Sequence, residues 1–291
     1  MIKNALFYTL TTPLETARLN ESLSKMRFAE IGKLEAQSVG FEPLEQGQDL
    51  LMDVQGIRAG CVRIDKKSIP GSALKELLKE RCCKLEEVQG YAPGRKQTKE
   101  IKERLVDELL PHVLPTTKRV KFLVFNDLMV MDTSSSATAD LVLGLLSRCV
   151  DPFPLGIVRT ESSPAAAMTR WLIDDEPPAT FSVDQEAEMK AANESRASVR
   201  WKNQSVDGEE ATDHFRQGKQ CIKLALTWAD RISFALNDKG GISKIKALDL
   251  LTKTREEDAT DQGMEADIAL FGGELHKLIH DLIGALGGEV A

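Results

Sequence analysis

The alternation of apolar and polar residues at the N-terminus predicts a strand followed by a helix. Residues 2–10 alternate with a period of two, which is typical of a half-buried strand. Thr12, Pro13 and Glu15 then match the sequence of a capping box with proline at the first helical position. We therefore expect a helix that begins at Pro13 and extends to about Met26.

Beyond Gly71 the pattern changes to the period of a helix. Residues 73–88 place leucines on one face, and a second helix, with Thr98 as its expected N-cap, ends before Pro111. A two-helix hairpin buries little apolar surface by itself. We expect this hairpin, residues 71–115, to need support from the rest of the chain or from a partner chain.

Strands and helices are mixed through the rest of the first 178 residues. Helices are predicted to begin near Ser134 and at Ser163-Pro164. The expected strands are 49–54 and 57–65, joined by a turn at Gln55-Gly56, then 120–125, 128–132 and 156–159. This mixture predicts an α+β fold with antiparallel sheets and an inserted helical hairpin.

The last third of the chain predicts an antiparallel meander and a final helix. The run KQCIKLALTWADRISFAL alternates on both sides of a turn at Ala229-Asp230, and NDKGG is a second turn signal. Ile222 should share the apolar face of the meander with Leu224, and Cys221 should lie on the polar face with Lys223. A helix is expected over 274–286. We divide the chain into a central body (1–70 and 116–178), a hairpin tip (71–115) and a base domain (179–291).

Composition is that of a globular protein, with 42% hydrophobic and 29% charged residues among 291. No apolar run approaches 18 residues, so no membrane span is expected. Five cysteines at scattered positions do not match a disulfide framework. We expect reduced thiols and a cytoplasmic location.

Charge is distributed unevenly along this chain of net charge −7. Residues 63–104 hold twelve basic and seven acidic side chains, whereas residues 254–291 hold nine acidic and two basic ones. Such an uneven charge distribution is typical of a protein that binds anions on one restricted surface. The alternative is a set of solvated helix faces, because glutamates alternate with the lysines and can pair with them at i, i+4.

The sequence contains no convincing catalytic or metal motif. It lacks a Gly-rich phosphate loop and the G-x-S-x-G nucleophile motif, so we expect no cofactor and no catalytic residue. His276 and His280 have i, i+4 spacing, but H-E-x-x-H is absent and a solvated polar face is the favoured interpretation. Asp184 with Glu188 weakly resembles the carboxylate cluster that binds Mg²⁺ in nucleases.

Several segments resemble the RdgC family of recombination-associated proteins. The most specific are KLALTWADRISFALNDKGGISKIKA and EADIALFGGELHKLIHDLIGALGG; IKNALFYTL and ELLPHVL match in the same order. The resemblance implies a non-enzymatic, nucleoid-associated protein that binds DNA without sequence preference, forms a ring-shaped homodimer around duplex DNA and restrains the RecA recombinase. Double-stranded DNA is the expected partner, and preference for single strands is left open.

On this resemblance, basic side chains of the hairpin, body and base would line the ring, and the hairpin tip and final helix would close it. The expected dimer contacts are Val113, Leu114, Leu278 and Leu282. The expected DNA contacts are Lys75, Lys79, Arg95, Lys96, Lys99, Lys118, Arg119, Arg200, Lys202, Gln204 and Lys223.

Three positions depart from the family pattern. Leu114 replaces an aromatic residue, which implies a looser tip contact. Thr227 replaces an aspartate, and Asn203 replaces a basic residue beside Gln204. Two other functions remain open: a DNA-processing enzyme with a concealed carboxylate site, and a protein-binding module that acts on a recombinase through its acidic tail.

Overall fold

Two antiparallel sheets and the helices packed on them form the chain, as the α+β prediction requires. The computed structural model describes residues 2–45, 49–191, 197–206, 208–248 and 263–290. Residues 254–262 of the acidic C-terminal segment lie outside the described residues.

The first sheet contains seven of the described strands. They are β1 (Leu6–Leu10), β2 (Gln37–Glu42), β3 (Leu51–Val54), β4 (Ile57–Lys66), β5 (Thr116–Val124), β6 (Leu128–Met131) and β7 (Leu155–Gly156). Their order is β2-β4-β5-β6-β1-β7, with β3 paired to β4. The predicted turn at Gln55-Gly56 is confirmed, with φ of 52° and 82°. Two consecutive positive φ angles are what the type I′ turn of a two-residue hairpin requires.

Helices α1 (Thr16–Ser24) and α4 (Ser136–Cys149) cover one face of this sheet. Leu19 and Leu23 are buried, as expected. The predicted start of α1 at Pro13 is wrong: the N-cap is Glu15, and its side chain accepts no capping hydrogen bond. The preceding segment makes tertiary bonds instead, because the Arg58 guanidinium donates to the carbonyl of Leu14.

The second sheet has the order β12-β11-β10-β8-β9. Its strands are β8 (Phe181–Ala191), β9 (Ser198–Lys202), β10 (Lys219–Trp228), β11 (Ile232–Asn237) and β12 (Ile242–Ala247). The meander β10–β12 and its turn at Ala229-Asp230 are confirmed. Strands β2, β8 and β9 were not predicted, although β8 alternates apolar and polar residues along most of its length.

The predicted facing of β10 is wrong at its start. Cys221 is buried with Leu224 and Leu226, whereas Ile222 is only half-buried. The register with β8 shifts between Cys221 and Lys223. Such an irregularity moves the side chains that precede it to the opposite face of the sheet.

Helices α5 (Pro164–Asp174) and α6 (Gly208–Arg216) pack on the second sheet, whereas α7 (Gly263–Ala285) contacts both sheets. Ser163 caps α5 as expected, by accepting from the N–H of Ala166. Helix α7 begins eleven residues before the predicted start at Glu274. The buried Glu274 accepts a hydrogen bond from Arg231, which attaches α7 to the meander, and another from Lys277 of α7 itself.

A short backbone segment connects the two sheets. Ala5 exchanges both backbone hydrogen bonds with Ile242 of β12, and the N–H of Ile245 donates to the carbonyl of Lys3. The prediction of one strand over 2–10 is therefore wrong in its first part, since β1 begins at Leu6. Residues 3–5 instead pair with the second sheet.

The predicted hairpin is confirmed as α2 (Gly71–Gln89) and α3 (Arg95–Leu109), followed by a 3-10 turn at Leu110–His112. The N-cap of α3 is Gly94 and not Thr98. Helix α2 has no buried residue, and Val88 and Tyr91 are 84% and 62% exposed. The hairpin therefore leaves apolar surface uncovered in the single chain.

Candidate nucleic-acid interface

The hairpin presents basic side chains to solvent on both of its helices. Lys75 and Lys79 lie one turn apart on α2, and Arg95 and Lys96 open α3. All four are exposed. Among the described residues none of these four cations has a carboxylate within ion-pair distance. We call these four residues the hairpin basic group.

The first ten residues of α3 are the most basic part of the hairpin. They hold five basic and two acidic side chains, and Lys102 and Arg104 extend the positive surface toward the middle of the helix. Free N–H groups at the start of a helix add partial positive charge. The side chain of Gln97 accepts one backbone N–H at this end, that of Gly94.

Three other cations of the hairpin are ion-paired. Lys99 approaches Glu103 at 3.8 Å, Lys84 bonds Glu80 at 2.6 Å, and Arg81 bonds Glu108 across the two helices at 2.9 Å. All of these groups are solvent-exposed. Exposed ion pairs contribute about 0.2–1 kcal/mol of stability. Replacing them by contacts between these cations and a polyanion would therefore cost little free energy.

On the first sheet, Arg119 belongs to an ion-pair network. Arg119 and Arg63 are directly opposite on β5 and β4, and both pair with Glu42 of β2. Arg63 also donates to the buried Asp65, and its hydrogen bond lowers the pKa of that carboxyl. Lys118, the other predicted contact on β5, is exposed and donates to Thr138 at 3.1 Å.

On the second sheet, carboxylates of β8 hold two of the predicted DNA contacts. Glu188 pairs with Arg200 of β9. Glu186 lies between Lys223 of β10, at 3.3 Å, and Lys244 of β12. The lysines lower the pKa of Glu186, with the Lys244 hydrogen bond as the largest cause. Much of the positive charge on this face is therefore neutralised within the chain.

Lys202 and Gln204 are exposed at the end of β9. Lys202 is directly opposite Glu186 in the strand register, but among the described residues its side chain is in no ion pair. The eleven predicted contacts thus lie at three separate places: the hairpin, β5, and the β9–β10 face. Four of them are ion-paired, namely Lys99, Arg119, Arg200 and Lys223.

The two carboxylates of the weak nuclease pattern, Asp184 and Glu188, do not form a cluster. Asp184 accepts hydrogen bonds from the hydroxyl of Thr227 at 3.0 and 3.1 Å, and Glu188 is held by Arg200. Both residues lie on strand β8. An ionised aspartate at position 227 could not donate this hydrogen bond to the Asp184 carboxylate.

The four predicted dimer contacts differ in exposure. Leu114 is 87% exposed and Val113 is half-buried at the end of the hairpin. Leu278 and Leu282 are completely buried in the core of the chain itself, in a hydrophobic cluster to which both sheets contribute. In this chain they fill the interior, because α7 directs its apolar stripe inward and exposes only polar residues and glycines. An interface made by α7 stays a prediction.

The structure places a third side chain beside the two histidines of α7. The Nε2 atoms of His276 and His280 lie 2.9 and 2.8 Å from the two carboxylate oxygens of Asp127. Burial raises the pKa of Asp127, but the hydrogen bond and charge of His276 lower it more, so the net shift is downward. Asp127 is separated from His276 by 149 residues in the sequence, so no local spacing could identify it.

The five cysteines are free, as expected for reduced thiols. Burial raises the pKa of Cys61 to about 11 and that of Cys221 to about 12, so neither is a reactive thiolate at neutral pH. Within the described residues, no helix is both long and apolar enough to cross a membrane.

Fold and surface together define an α+β protein with two antiparallel sheets and a protruding basic hairpin. A family profile described as "RdgC: Putative exonuclease, RdgC" matches residues 1–289. The chain belongs to the RdgC family.

Curated relatives cover nearly the whole chain. The "Recombination-associated protein RdgC" of Bordetella parapertussis is 42% identical over 295 residues, which is 99% of this chain and 98% of the relative. The proteins of the same name from Dechloromonas aromatica and Janthinobacterium sp. (strain Marseille) are 37% and 35% identical. Each alignment again covers 99% of this chain and 98% of the relative. Membership of this family connects the chain to DNA recombination.

Proposed function

We propose that this protein binds DNA without sequence preference through the hairpin basic group and, as a homodimer, limits RecA-driven recombination. The observation that carries the proposal is the set of four exposed cations, Lys75, Lys79, Arg95 and Lys96, that have no carboxylate partner among the described residues. Phosphate contacts need only such side chains, without any geometry for reading bases.

The exposed apolar surface of the hairpin supports the homodimer. Val88, Tyr91 and Leu114 are 84%, 62% and 87% exposed, and α2 buries no residue in the single chain. A symmetric contact between two hairpins would cover such a surface. A closed ring would require a second contact elsewhere, and the polar face of α7 is available for it.

The test measures DNA affinity across a salt series with linear duplex DNA of two unrelated sequences. We expect equal affinities for both sequences. The logarithm of the affinity should fall linearly with the logarithm of the salt concentration, with a slope of about −0.9 for each phosphate contacted. Replacement of Arg95 and Lys96 by glutamine should reduce that slope by about 2. Light scattering should give the mass of a dimer.

A matched control removes two exposed cations elsewhere, Lys25 and Lys239. It has the same net charge as the hairpin variant, so it separates a local phosphate contact from general electrostatic attraction. An equal loss of affinity in both variants would contradict the hairpin as the DNA site. Mg²⁺-dependent cleavage of the duplex would favour a nuclease, and tight recombinase binding without DNA would favour a protein-binding module.

A further inference from the structure

The side chains of Asp127, His276 and His280 converge on one point at the surface. Their candidate ligand atoms, one from each residue, all lie within 4.8 Å of one another. The two Nε2 atoms are 3.2 Å apart, and each lies within 2.9 Å of a carboxylate oxygen of Asp127. Three ligand atoms of the types that bind transition metals therefore share one small volume.

Hydrogen bonding alone satisfies this arrangement poorly. If both histidines donated from Nε2 to Asp127, two N–H groups would face each other across 3.2 Å. A cation would instead accept the lone pairs of both nitrogens and of the carboxylate. Nitrogen–metal bonds of about 2.05 Å in a tetrahedral site place two nitrogens about 3.3 Å apart, which is close to the observed separation.

The backbone that carries the three side chains is fixed by packing. The buried Arg58 donates to the carbonyl of Phe125 and to the side chain of Asn126, at 2.9 and 3.0 Å, and thereby holds the β5–β6 turn that contains Asp127. The carbonyl of Asp127 accepts the N–H of Leu10 at 2.7 Å. A preorganised turn lowers the cost of assembling a binding site.

The histidines are held equally firmly. They lie one turn apart on α7, where Leu275 and Ile279 beside them are completely buried. The ring of Phe125 packs on that of His276 with 4.6 Å between centroids. The two rings can therefore point to one side of the helix without reordering it.

We propose that Asp127, His276 and His280 form a site for a divalent transition-metal ion of the Zn²⁺ type. Two imidazoles with one carboxylate favour such ions over Mg²⁺ and Ca²⁺, which prefer sets of oxygen ligands. Because Asp127 and His280 are exposed, water would complete the coordination. The ion would join the β5–β6 turn of the first sheet to the last helix.

The test uses the full chain without a polyhistidine tag, in a Cys82→Ser/Cys83→Ser background. This background removes the adjacent thiols on α2, which are half-buried and exposed and could bind Zn²⁺ independently. After dialysis against a chelator, calorimetric titration with Zn²⁺ should show one ion per chain and a raised unfolding temperature. Mg²⁺ at the same concentration should produce neither effect, and Co²⁺ should give the visible spectrum of low-coordinate nitrogen and oxygen ligation.

The variants His280→Ala and Asp127→Asn should each weaken Zn²⁺ binding by at least about tenfold, since even outer-shell changes have effects of that size. His112→Ala removes an exposed histidine of the hairpin and should leave Zn²⁺ affinity unchanged. Without metal, His280→Ala and His112→Ala should melt as the parent does. His280 is exposed, so its variant remains informative if Asp127→Asn folds poorly.

Two results would overturn the proposal. One is the absence of stoichiometric Zn²⁺ binding to the parent protein. The other is undiminished Zn²⁺ binding by a His276→Ala/His280→Ala variant that retains the parent's circular dichroism spectrum.

Discussion

At the residue scale, the same residue type has different roles according to its neighbours. Lys96 and Lys223 are both predicted DNA contacts, yet Lys223 is paired with Glu186 of an adjacent strand. A sequence shows i, i+4 partners on one helix, such as Lys84 with Glu80, but not partners on other strands. This is why predicted DNA contacts on the hairpin remain available while those on the second sheet are partly neutralised.

Gly60 provides a residue-scale prediction about packing. A Cβ atom at this position of β4 would lie 2.3 Å from the ring of Phe122, which is completely buried and cannot move aside. We expect Gly60→Ala to lower the free energy of unfolding by about 1–3 kcal/mol, as overpacking does. Urea denaturation followed by circular dichroism would measure the change.

Gly144 is the matched control for Gly60. It lies on the exposed side of α4, and a Cβ atom added there would meet no neighbouring atom within 4 Å. Gly144→Ala should raise the free energy of unfolding by about 0.5–1 kcal/mol, because alanine is the better helix former. Equal effects of the two substitutions would show that the ring of Phe122 does not restrict position 60.

At the element scale, regular elements with strong local signals were predicted well. The hairpin helices, the β3–β4 hairpin, α5 with its Ser163 cap, and the meander are all confirmed. Errors concentrate where tertiary hydrogen bonds compete with local patterns. The start of α1 and the first residues of β10 are both decided by bonds to distant strands.

The hairpin gives the element-scale prediction. Leu114 is 87% exposed in the single chain, so Leu114→Asp should leave the fold intact. If the proposed dimer buries this side chain, the charge would have to be desolvated in the contact and the dimer would dissociate at least about tenfold more readily. Sedimentation of the variant over a concentration series measures the shift.

Leu141 serves as the control for this change. It is a leucine of α4 that is 43% exposed and lies outside the hairpin. Leu141→Asp should therefore leave the dissociation constant of the dimer unchanged. A dimer that is equally strong in the Leu114→Asp protein would place the contact elsewhere.

At the scale of the whole molecule, buried polar networks connect strands that are distant in sequence. Asp65 of β4, with its side chain 3% exposed, accepts hydrogen bonds from Arg63 and Thr117 at 2.8–2.9 Å. The ring of Phe28 packs beneath the Arg63 guanidinium at 4.3 Å. Because Arg63 also pairs with Glu42, this network joins β2, β4 and β5 in the first sheet.

Asp65 therefore contributes to the pH dependence of stability. The hydrogen bond from Arg63 lowers the folded-state pKa of Asp65 below its ordinary value. A depressed carboxyl pKa stabilises the fold above the unfolded value of about 3.9, and the contribution is lost as pH falls through the folded pKa. Asp65→Asn should cost about 1.5–3 kcal/mol at pH 7, and the difference should shrink in acid.

Denaturant titrations from about pH 7 to about pH 3 would measure this effect, since that range spans the unfolded carboxyl pKa. The exposed carboxylate Asp107 of α3, which has no ion-pair partner among the described residues, supplies the control variant Asp107→Asn. That control should follow the parent at each pH. A pH-independent difference between Asp65→Asn and the parent would mean that the carboxylate charge is not what stabilises the network.

The sequence by itself determined the α+β class, the hairpin, the meander and the concentration of positive charge near α3. These features depend on periodicity, turn residues and composition, which are local properties of the chain. Tertiary structure decided which cations remain unpaired and which leucines of α7 are interior. It also brought Asp127 to His276 and His280, because only folding places a turn of one sheet against a helix 149 residues later.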